Sequence, residues 1–236
     1  MSGRRFYLNI KHKLRSALNP ALCQLCGIPV DATAMLCTHC FNSLSQVPNP
    51  CTRCGQPNPA SGDICPSCRL NPPRWQRMIA PLTFSGATRD LILQFKFAQQ
   101  RPQARILLTH LLDKYRQHTP DVLIPVPLHP QKRLQRGYNQ AQEVAAVLSD
   151  SLFIPLDTHS LRRVKLTGSQ AGLSLHKRRK NLRAAFTYQP VQRYRSVAII
   201  DDIITSGSTM DEICKVIQKA GVKHVEVWSL ARTLKH

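Results

Sequence analysis

Along the C-terminal two thirds of the chain, segments with the apolar pattern of a β-strand alternate with segments that have the apolar spacing of an α-helix. Buried-strand patterns, with a weaker edge-strand pattern first, lie at residues 78–84, 122–127, 197–201 and 224–230. Helical spacing separates these strands, over residues 87–97, 104–115, 139–152 and 210–220. Strands that alternate with helices predict an α/β domain, a parallel sheet with helices on both faces. Ligands of such sheets bind at the carboxyl ends of the strands.

The central predicted strand ends in two adjacent carboxylates, Asp201 and Asp202. Five small residues then precede the last helix: Thr205, Ser206, Gly207, Ser208 and Thr209. Backbone N–H groups of such a loop can surround a phosphate at a helix N-terminus, and the carboxylates can accept hydrogen bonds from sugar hydroxyls. The pattern predicts a ribose-phosphate site. The alternative, a turn with an N-cap, requires fewer of these residues.

Eight of the nine cysteines form four C-x-x-C pairs with ten residues between consecutive pairs. Two such pairs complete a tetrahedral shell of four thiolates around Zn²⁺, so we expect structural zinc. Cys-x-x-Cys-Gly recurs at an offset of 28 residues, which favours two tandem ribbons over a crossed arrangement. The expected ligand sets are Cys23, Cys26, Cys37 and Cys40, then Cys51, Cys54, Cys65 and Cys68. Cys214 stands apart, and we interpret it as a packing residue.

The chain is strongly basic, with 33 Lys and Arg against 13 Asp and Glu among its 236 residues, a net charge of +20. Such a charge favours polyanionic ligands. Residues 161–195 hold ten cations and no acid. The expected DNA-binding residues are Arg162, Arg163, Lys165, Lys177, Arg178, Arg179, Lys180 and Arg183. The alternative is a solvated cationic face.

No window is apolar enough for a transmembrane segment, and the basic N-terminal residues lack the apolar run of a secretory signal. We therefore expect a cytoplasmic protein. Residues 4–18 could also form a basic amphipathic helix on an anionic surface. The expected organisation is a basic segment (1–18), a double zinc ribbon (19–73) and an α/β domain (76–236).

A second candidate binding motif, Arg136 to Gln140, follows the strand at 122–127. An arginine, a glycine and two amides at a helix start can bind a pyrophosphate, and the alternative is a basic surface loop with an asparagine cap. Gly168 and Gly172 predict a mobile loop over 165–172, and a basic helix is expected over 175–185.

The loop at 201–209 resembles the phosphoribosyl-pyrophosphate (PRPP) loop of type I phosphoribosyltransferases, and most of the chain resembles the competence protein ComF family, which includes ComFC and GntX-like proteins. That likeness rests on the cysteine ribbons and on further motifs. They are Phe84-Ser85-Gly86 with Phe95-Lys96-Phe97, Val126-Pro127-Leu128 with Arg136-Gly137-Tyr138-Asn139-Gln140, Arg163…Thr167…Gln170…Arg178…Asn181…Ala185-Phe186, and Asp201 through Thr209.

The resemblance implies a type I phosphoribosyltransferase-like fold, PRPP bound with Mg²⁺, and a role with single-stranded DNA in natural transformation. By the same resemblance, the loop at 205–209 holds the 5′-phosphate and Asp201 and Asp202 take the ribose hydroxyls. Leu128, His129 and Arg136 face the pyrophosphate, and the loop at 165–172 closes over the site. Other competence or DNA-uptake proteins are expected partners.

Two further functions stay open. One is an active phosphoribosyltransferase with an unknown acceptor, because no segment is identifiable as a base-recognising hood. The other is a zinc-ribbon nucleic-acid binder with a vestigial α/β domain, against which the intact loop at 201–209 argues. The chain lacks a G-x-x-x-x-G-K-[ST] motif, which disfavours a helicase.

Overall fold

The computed structural model describes residues 21–31, 36–60, 62–97, 108, 111–165 and 184–234. The chain divides into two compact units, Met1–Leu44 and Ser45–His236. In the first unit, strands β1 (Ala21–Leu22) and β2 (Pro29–Val30) pair antiparallel, and helix α1 (Thr38–Asn42) follows them. The basic helix considered for residues 4–18 lies outside the described residues.

The second unit begins with the second cysteine ribbon and its helix α2 (Pro66–Leu70). Its strands, in chain order, are β3 (Arg77–Ile79), β4 (Leu82–Thr83), β5 (Val122–Pro125), β6 (Leu161–Arg163), β7 (Phe186–Tyr188), β8 (Ser196–Ile204) and β9 (His224–Arg232). Its longer helices are α3 (Gly86–Phe97), α4 (Pro130–Arg136), α5 (Gln140–Leu152) and α6 (Ser208–Lys219).

The main sheet has the order β3-β9-β8-β5, with β4 also paired to β9, and every one of these pairings is parallel. The predicted parallel α/β sheet is therefore confirmed. Strands β6 and β7 form a separate antiparallel pair.

The sheet is covered on both faces, because successive residues of a strand point to opposite sides and Val197 through Ile200 are all fully buried. On one face, Ile199 packs in a cluster with Ile213 of α6. On the other, the Tyr115 hydroxyl donates to the Ser229 carbonyl at 2.8 Å and its ring lies 5.3 Å from that of Trp228. Each such side chain contributes roughly 1.5–3 kcal/mol of burial free energy.

Three elements differ from the expectation. Strand β8 runs three residues past Asp201, because β9 stays paired with it through Arg232. Helix α4 and the β6–β7 pair were not predicted. Half of the helix expected at 104–115 lies outside the described residues; in the described half, Leu108 is helical and a 3₁₀ turn (Leu112–Lys114) follows. The basic helix expected at 175–185 lies largely outside the described residues. Within the described residues, no helix has the length and apolarity that a membrane span requires.

Candidate phosphate-binding site and zinc centres

The loop between β8 and α6 is a tight turn built on Gly207. This residue is the N-cap of α6 and has a φ of +77°, a left-handed conformation that favours glycine. The Ser206 hydroxyl accepts the Ser208 backbone N–H at 3.3 Å and lies 3.0 Å from the Ser208 hydroxyl. The first N–H groups of a helix lack intrahelical acceptors, so those of α6 are directed at this loop. A concavity of about 30 Å³ here is lined by Asp201 and residues 203–210.

The two carboxylates lie within β8 rather than beyond its end. Asp201 Oδ1 accepts the Asp202 N–H at 2.9 Å, and Asp202 Oδ1 accepts the Ile203 N–H at 2.9 Å. Asp202 is 8% exposed, whereas Asp201 is half-buried. Asp201 also lines the concavity at the loop formed by residues 205–209, hereafter the phosphate loop, whereas Asp202 is not among its lining residues.

The neighbouring strand β5 separates from β8 just before these carboxylates. Its register ends at Pro125 opposite Ile200, and the Val126 N–H donates to the Ile200 carbonyl at 2.8 Å. Residues 126–129 then follow at the same carboxyl edge of the sheet as the phosphate loop. This edge is where parallel α/β sheets bind their ligands.

In the segment predicted to bind pyrophosphate, several residues cap helices α4 and α5. Leu128 and His129 are half-buried, and His129 is the N-cap of α4, with Nδ1 accepting the Gln131 N–H at 3.4 Å. Gly137 ends α4, with a φ of +76°, and Asn139 begins α5. Asn139 Oδ1 accepts the Ala141 N–H at 3.2 Å, so the asparagine cap of the alternative interpretation is present, and its Nδ2 donates to the Val126 carbonyl at 3.0 Å. The side chain of Arg136 lies outside the described residues.

Strand β6 places Arg163 where it interacts electrostatically with Asp201. Its guanidinium lies over the Phe186 ring, 5.5 Å from the centroid. Burial lowers the pKa of Arg163, and the charge of Asp201 opposes that shift. Arg163 and Phe186 are 23 positions apart in the sequence, and the pairing of β6 with β7 places them opposite each other. Sequence reasoning offered no signal for it.

The other predicted DNA-binding residues are only partly described. Arg162 and Lys165 are exposed, and Arg162 Nε donates to the His159 carbonyl at 3.4 Å. The remaining ones lie outside the described residues: Lys177, Arg178, Arg179, Lys180 and Arg183. So does most of the loop expected at 165–172. The Val164 N–H donates to the Ala185 carbonyl at 2.9 Å, so the described residues that flank 166–183 lie next to each other.

The eight predicted zinc ligands form the two tandem groups expected from the repeat, Cys23, Cys26, Cys37 and Cys40, then Cys51, Cys54, Cys65 and Cys68. The crossed arrangement is excluded, because the four sulfur atoms of each group lie within 4.8 Å of one another. The Cys26–Cys37 and Cys54–Cys65 sulfur pairs are 3.8 Å apart. That equals the edge of about 3.8 Å of a tetrahedron with 2.3 Å Zn–S bonds. Both groups therefore fit a structural zinc ion.

The repeat extends to the hydrogen bonds of the two ribbons. The Cys23 N–H donates to the Ile28 carbonyl at 2.8 Å, and 28 residues later the Cys51 N–H donates to the Gln56 carbonyl at 2.8 Å. Burial raises the pKa of Cys23, but N–H donors that include those of Cys37 and Cys26 outweigh it and lower the pKa to about 6. Cys51 is lowered to a pKa of about 7 in the same way. Each ribbon thus offers a thiolate to the metal near neutral pH.

Cys214 packs in the core beneath the phosphate loop, as expected. It is fully buried on α6 with Ile213 and Ile217. Burial raises the pKa of its thiol to about 12, so the residue is a neutral packing group.

Comparisons with known proteins agree with this organisation. The double zinc ribbon domain model matches residues 14–69. Competence protein F of Haemophilus influenzae is 38% identical over 207 residues, which cover 84% of this chain and 90% of that protein. DNA utilization protein YhgH of Escherichia coli is 33% identical over 223 residues, 91% of this chain and 98% of that one.

A purine phosphoribosyltransferase from Pyrococcus horikoshii is similar in structure over 58% of this chain and 85% of its own, at 19% identity and a TM-score of 0.32. A likeness at that level carries no inference about function. The relatives in sequence, in contrast, align over nearly their full length and include both the ribbons and the α/β domain. The chain therefore belongs to the family of competence protein F and DNA utilization protein YhgH.

Proposed function

We propose that this chain binds PRPP with Mg²⁺ at the loop following β8, binds single-stranded DNA along its basic surface, and supports DNA handling in natural transformation. The observation that carries the proposal is the Gly207 turn at the start of α6, next to the carboxylates of Asp201 and Asp202. The relatives named competence protein F and DNA utilization protein support the link to DNA.

The phosphate part of the proposal follows from the charges at the loop. The positive end of the α6 dipole and the N–H groups of its first turn favour an anion at residues 205–209. Asp201 and Asp202 supply acceptors for the two ribose hydroxyls of PRPP. Mg²⁺ would partly neutralise the pyrophosphate, which we assign to residues 126–129 at the same edge of the sheet.

The PRPP site is tested by a charge-matched pair of variants. Asp201→Asn with Asp202→Asn removes two charged acceptors, and we expect the PRPP affinity to fall by at least about tenfold. Asp90→Asn with Asp113→Asn removes two carboxylates whose side chains are 61% and 92% exposed, and should leave the affinity unchanged. Calorimetric titration of PRPP with Mg²⁺ measures both. Equal affinities in the two double variants would place the site elsewhere.

The DNA part rests on the acid-free segment 161–195, in which Arg163 interacts electrostatically with Asp201 of the candidate site. Arg162 and Lys165 are exposed there, whereas Tyr188 is buried and Tyr194 half-buried. Because aromatic stacking surface is scarce, we expect binding through phosphate contacts and little dependence on base sequence.

The salt dependence of DNA binding tests this surface. Each phosphate contact on a single strand contributes about −0.7 to the slope of log K against log salt concentration. Reversing Arg178, Arg179 and Lys180 to Glu should therefore flatten the slope by about two units and leave PRPP binding nearly intact. The control reverses Lys114, Arg116 and Lys219, which are exposed and outside the segment. An equal change in both triple variants would mean that net charge alone attracts the DNA.

A further inference from the structure

The second zinc ribbon supports the phosphate loop through a buried tryptophan. Trp75, 5% exposed, lies against Gly207, where an added Cβ would be 3.1 Å from Trp75 Cη2. The Trp75 indole N–H donates to the Arg53 carbonyl at 2.6 Å. Arg53 lies between the zinc ligands Cys51 and Cys54. The ribbon backbone therefore orients the ring on which the phosphate loop rests.

The segment that carries Trp75 is fixed at both sides. From the ribbon, the Arg53 guanidinium donates to the carbonyls of Pro73 and Gln76, each at 3.2 Å. From α6, Asp211 forms an ion pair with Arg74 at 3.1 Å, and Gln218 donates to the Arg74 carbonyl at 2.8 Å. Movement of the ribbon would thus be transmitted to the first turn of α6.

A second connection runs through the end of β9. Arg232, opposite Ile204 at the end of β8, is 3% exposed and interacts electrostatically with Cys54, Cys68 and Cys51. A Zn²⁺ with four thiolates carries a net charge of −2, which a buried guanidinium partly balances. Gln56 also donates to the Thr233 carbonyl at 3.0 Å, and the Thr233 N–H donates to the Ile204 carbonyl.

The second ribbon and the loop line one open cleft. A cavity of about 350 Å³ is lined on one side by Cys54 and Cys68 and on the other by Ser206, Gly207 and Ser208. Trp75 and Arg232 line the same cleft, so both side chains are placed to connect the ribbon with the loop. The first ribbon belongs to the other compact unit.

We propose that the second ribbon is a positioning element of the phosphate loop, so that zinc at Cys51, Cys54, Cys65 and Cys68 sets the conformation and anion affinity of residues 205–209. Zinc at the first ribbon has no such effect on residues 205–209. Trp75 and Arg53 are positioning residues that transmit this effect. The effect of zinc on anion affinity rests on the proposed PRPP function, whereas its effect on the loop conformation does not.

The repeat supplies a matched pair of zinc-loss variants in the full chain. Cys51→Ser with Cys54→Ser empties the second site, and Cys23→Ser with Cys26→Ser empties the equivalent first site, each verified by elemental analysis as a loss of one zinc. We expect amide hydrogen exchange across residues 205–214 to accelerate at least about tenfold when the second site is emptied, and not when the first site is emptied. PRPP affinity should fall only when the second site is emptied. Equal exchange in the two variants overturns the inference.

A milder substitution covers the case in which zinc loss unfolds the whole second unit. Trp75→Phe keeps a ring against Gly207 but removes the N–H donor to Arg53, and exchange at 205–214 should rise about fivefold, the effect of one net hydrogen bond. The control is Trp228→Phe, which removes the 2.8 Å hydrogen bond to Glu226 away from the loop. Loop exchange unchanged by Trp75→Phe contradicts the proposal. Absence of PRPP binding in every protein, with the exchange pattern as expected, rejects the proposed function alone.

Discussion

Two glycines at the ends of α6 separate the effect of backbone strain from that of a close contact. Gly207 and Gly221 have φ values of +77° and +94°. A Cβ at Gly207 would lie 3.1 Å from the Trp75 ring, whereas one at Gly221 would meet no described atom within 4 Å. Position 207 therefore combines a left-handed backbone with contact to the ribbon segment.

We predict that both Gly→Ala substitutions destabilise the protein by roughly 1–2 kcal/mol through left-handed strain. Gly207→Ala should cost more, because the ring must also move, and it alone should weaken PRPP binding. Urea unfolding and calorimetry measure the two effects. If Gly221→Ala is as damaging on both counts, the Trp75 contact does not govern the loop.

Some residue roles could be predicted from sequence because their chemistry is local. The zinc ligand sets follow from C-x-x-C spacing and the offset of 28 residues, and the structure groups them accordingly. The role of Trp75 could not be predicted, because its contacts with Arg53 and Gly207 join distant parts of the chain. A large aromatic residue two positions after Pro73 was the available signal.

At the scale of elements, the long helices and the buried strands were predictable, since their apolar periods persist over many residues. Helix α4 is not among the predicted elements, because its seven residues include a proline and a single large apolar side chain, Leu134. Pro130 in fact occupies the first turn, where proline is favourable, and His129 caps it. The β6–β7 pair was missed because each strand has three residues and their pairing is long-range.

Strand β6 makes two adjacent arginines distinguishable, because neighbouring strand positions face opposite sides. Arg163 interacts with Asp201, and Arg162 is exposed. We predict that Arg163→Gln weakens PRPP binding severalfold and leaves the salt slope of DNA binding nearly unchanged. Arg162→Gln should reduce that slope by about 0.7 and spare PRPP. Calorimetry and salt-dependent DNA titrations check the pair, and the reverse assignment would show that Arg163 contacts DNA.

The whole molecule combines a net charge of +20 with a confined cluster of carboxylates at Asp201 and Asp202. Under the proposed function, its positive field attracts DNA over a wide surface, and the β8–α6 loop binds the 5′-phosphate of PRPP. The account therefore assigns two anionic ligands to different places on one chain. PRPP and DNA should therefore bind to the chain at the same time, and each should weaken the other only through electrostatic repulsion.

The most direct measurement is a calorimetric titration of PRPP with Mg²⁺ into the protein alone and into the protein saturated with single-stranded DNA. The account predicts one PRPP per chain in both cases, with affinities within about tenfold of each other. Displacement of PRPP by DNA, or no PRPP binding in either titration, would contradict it.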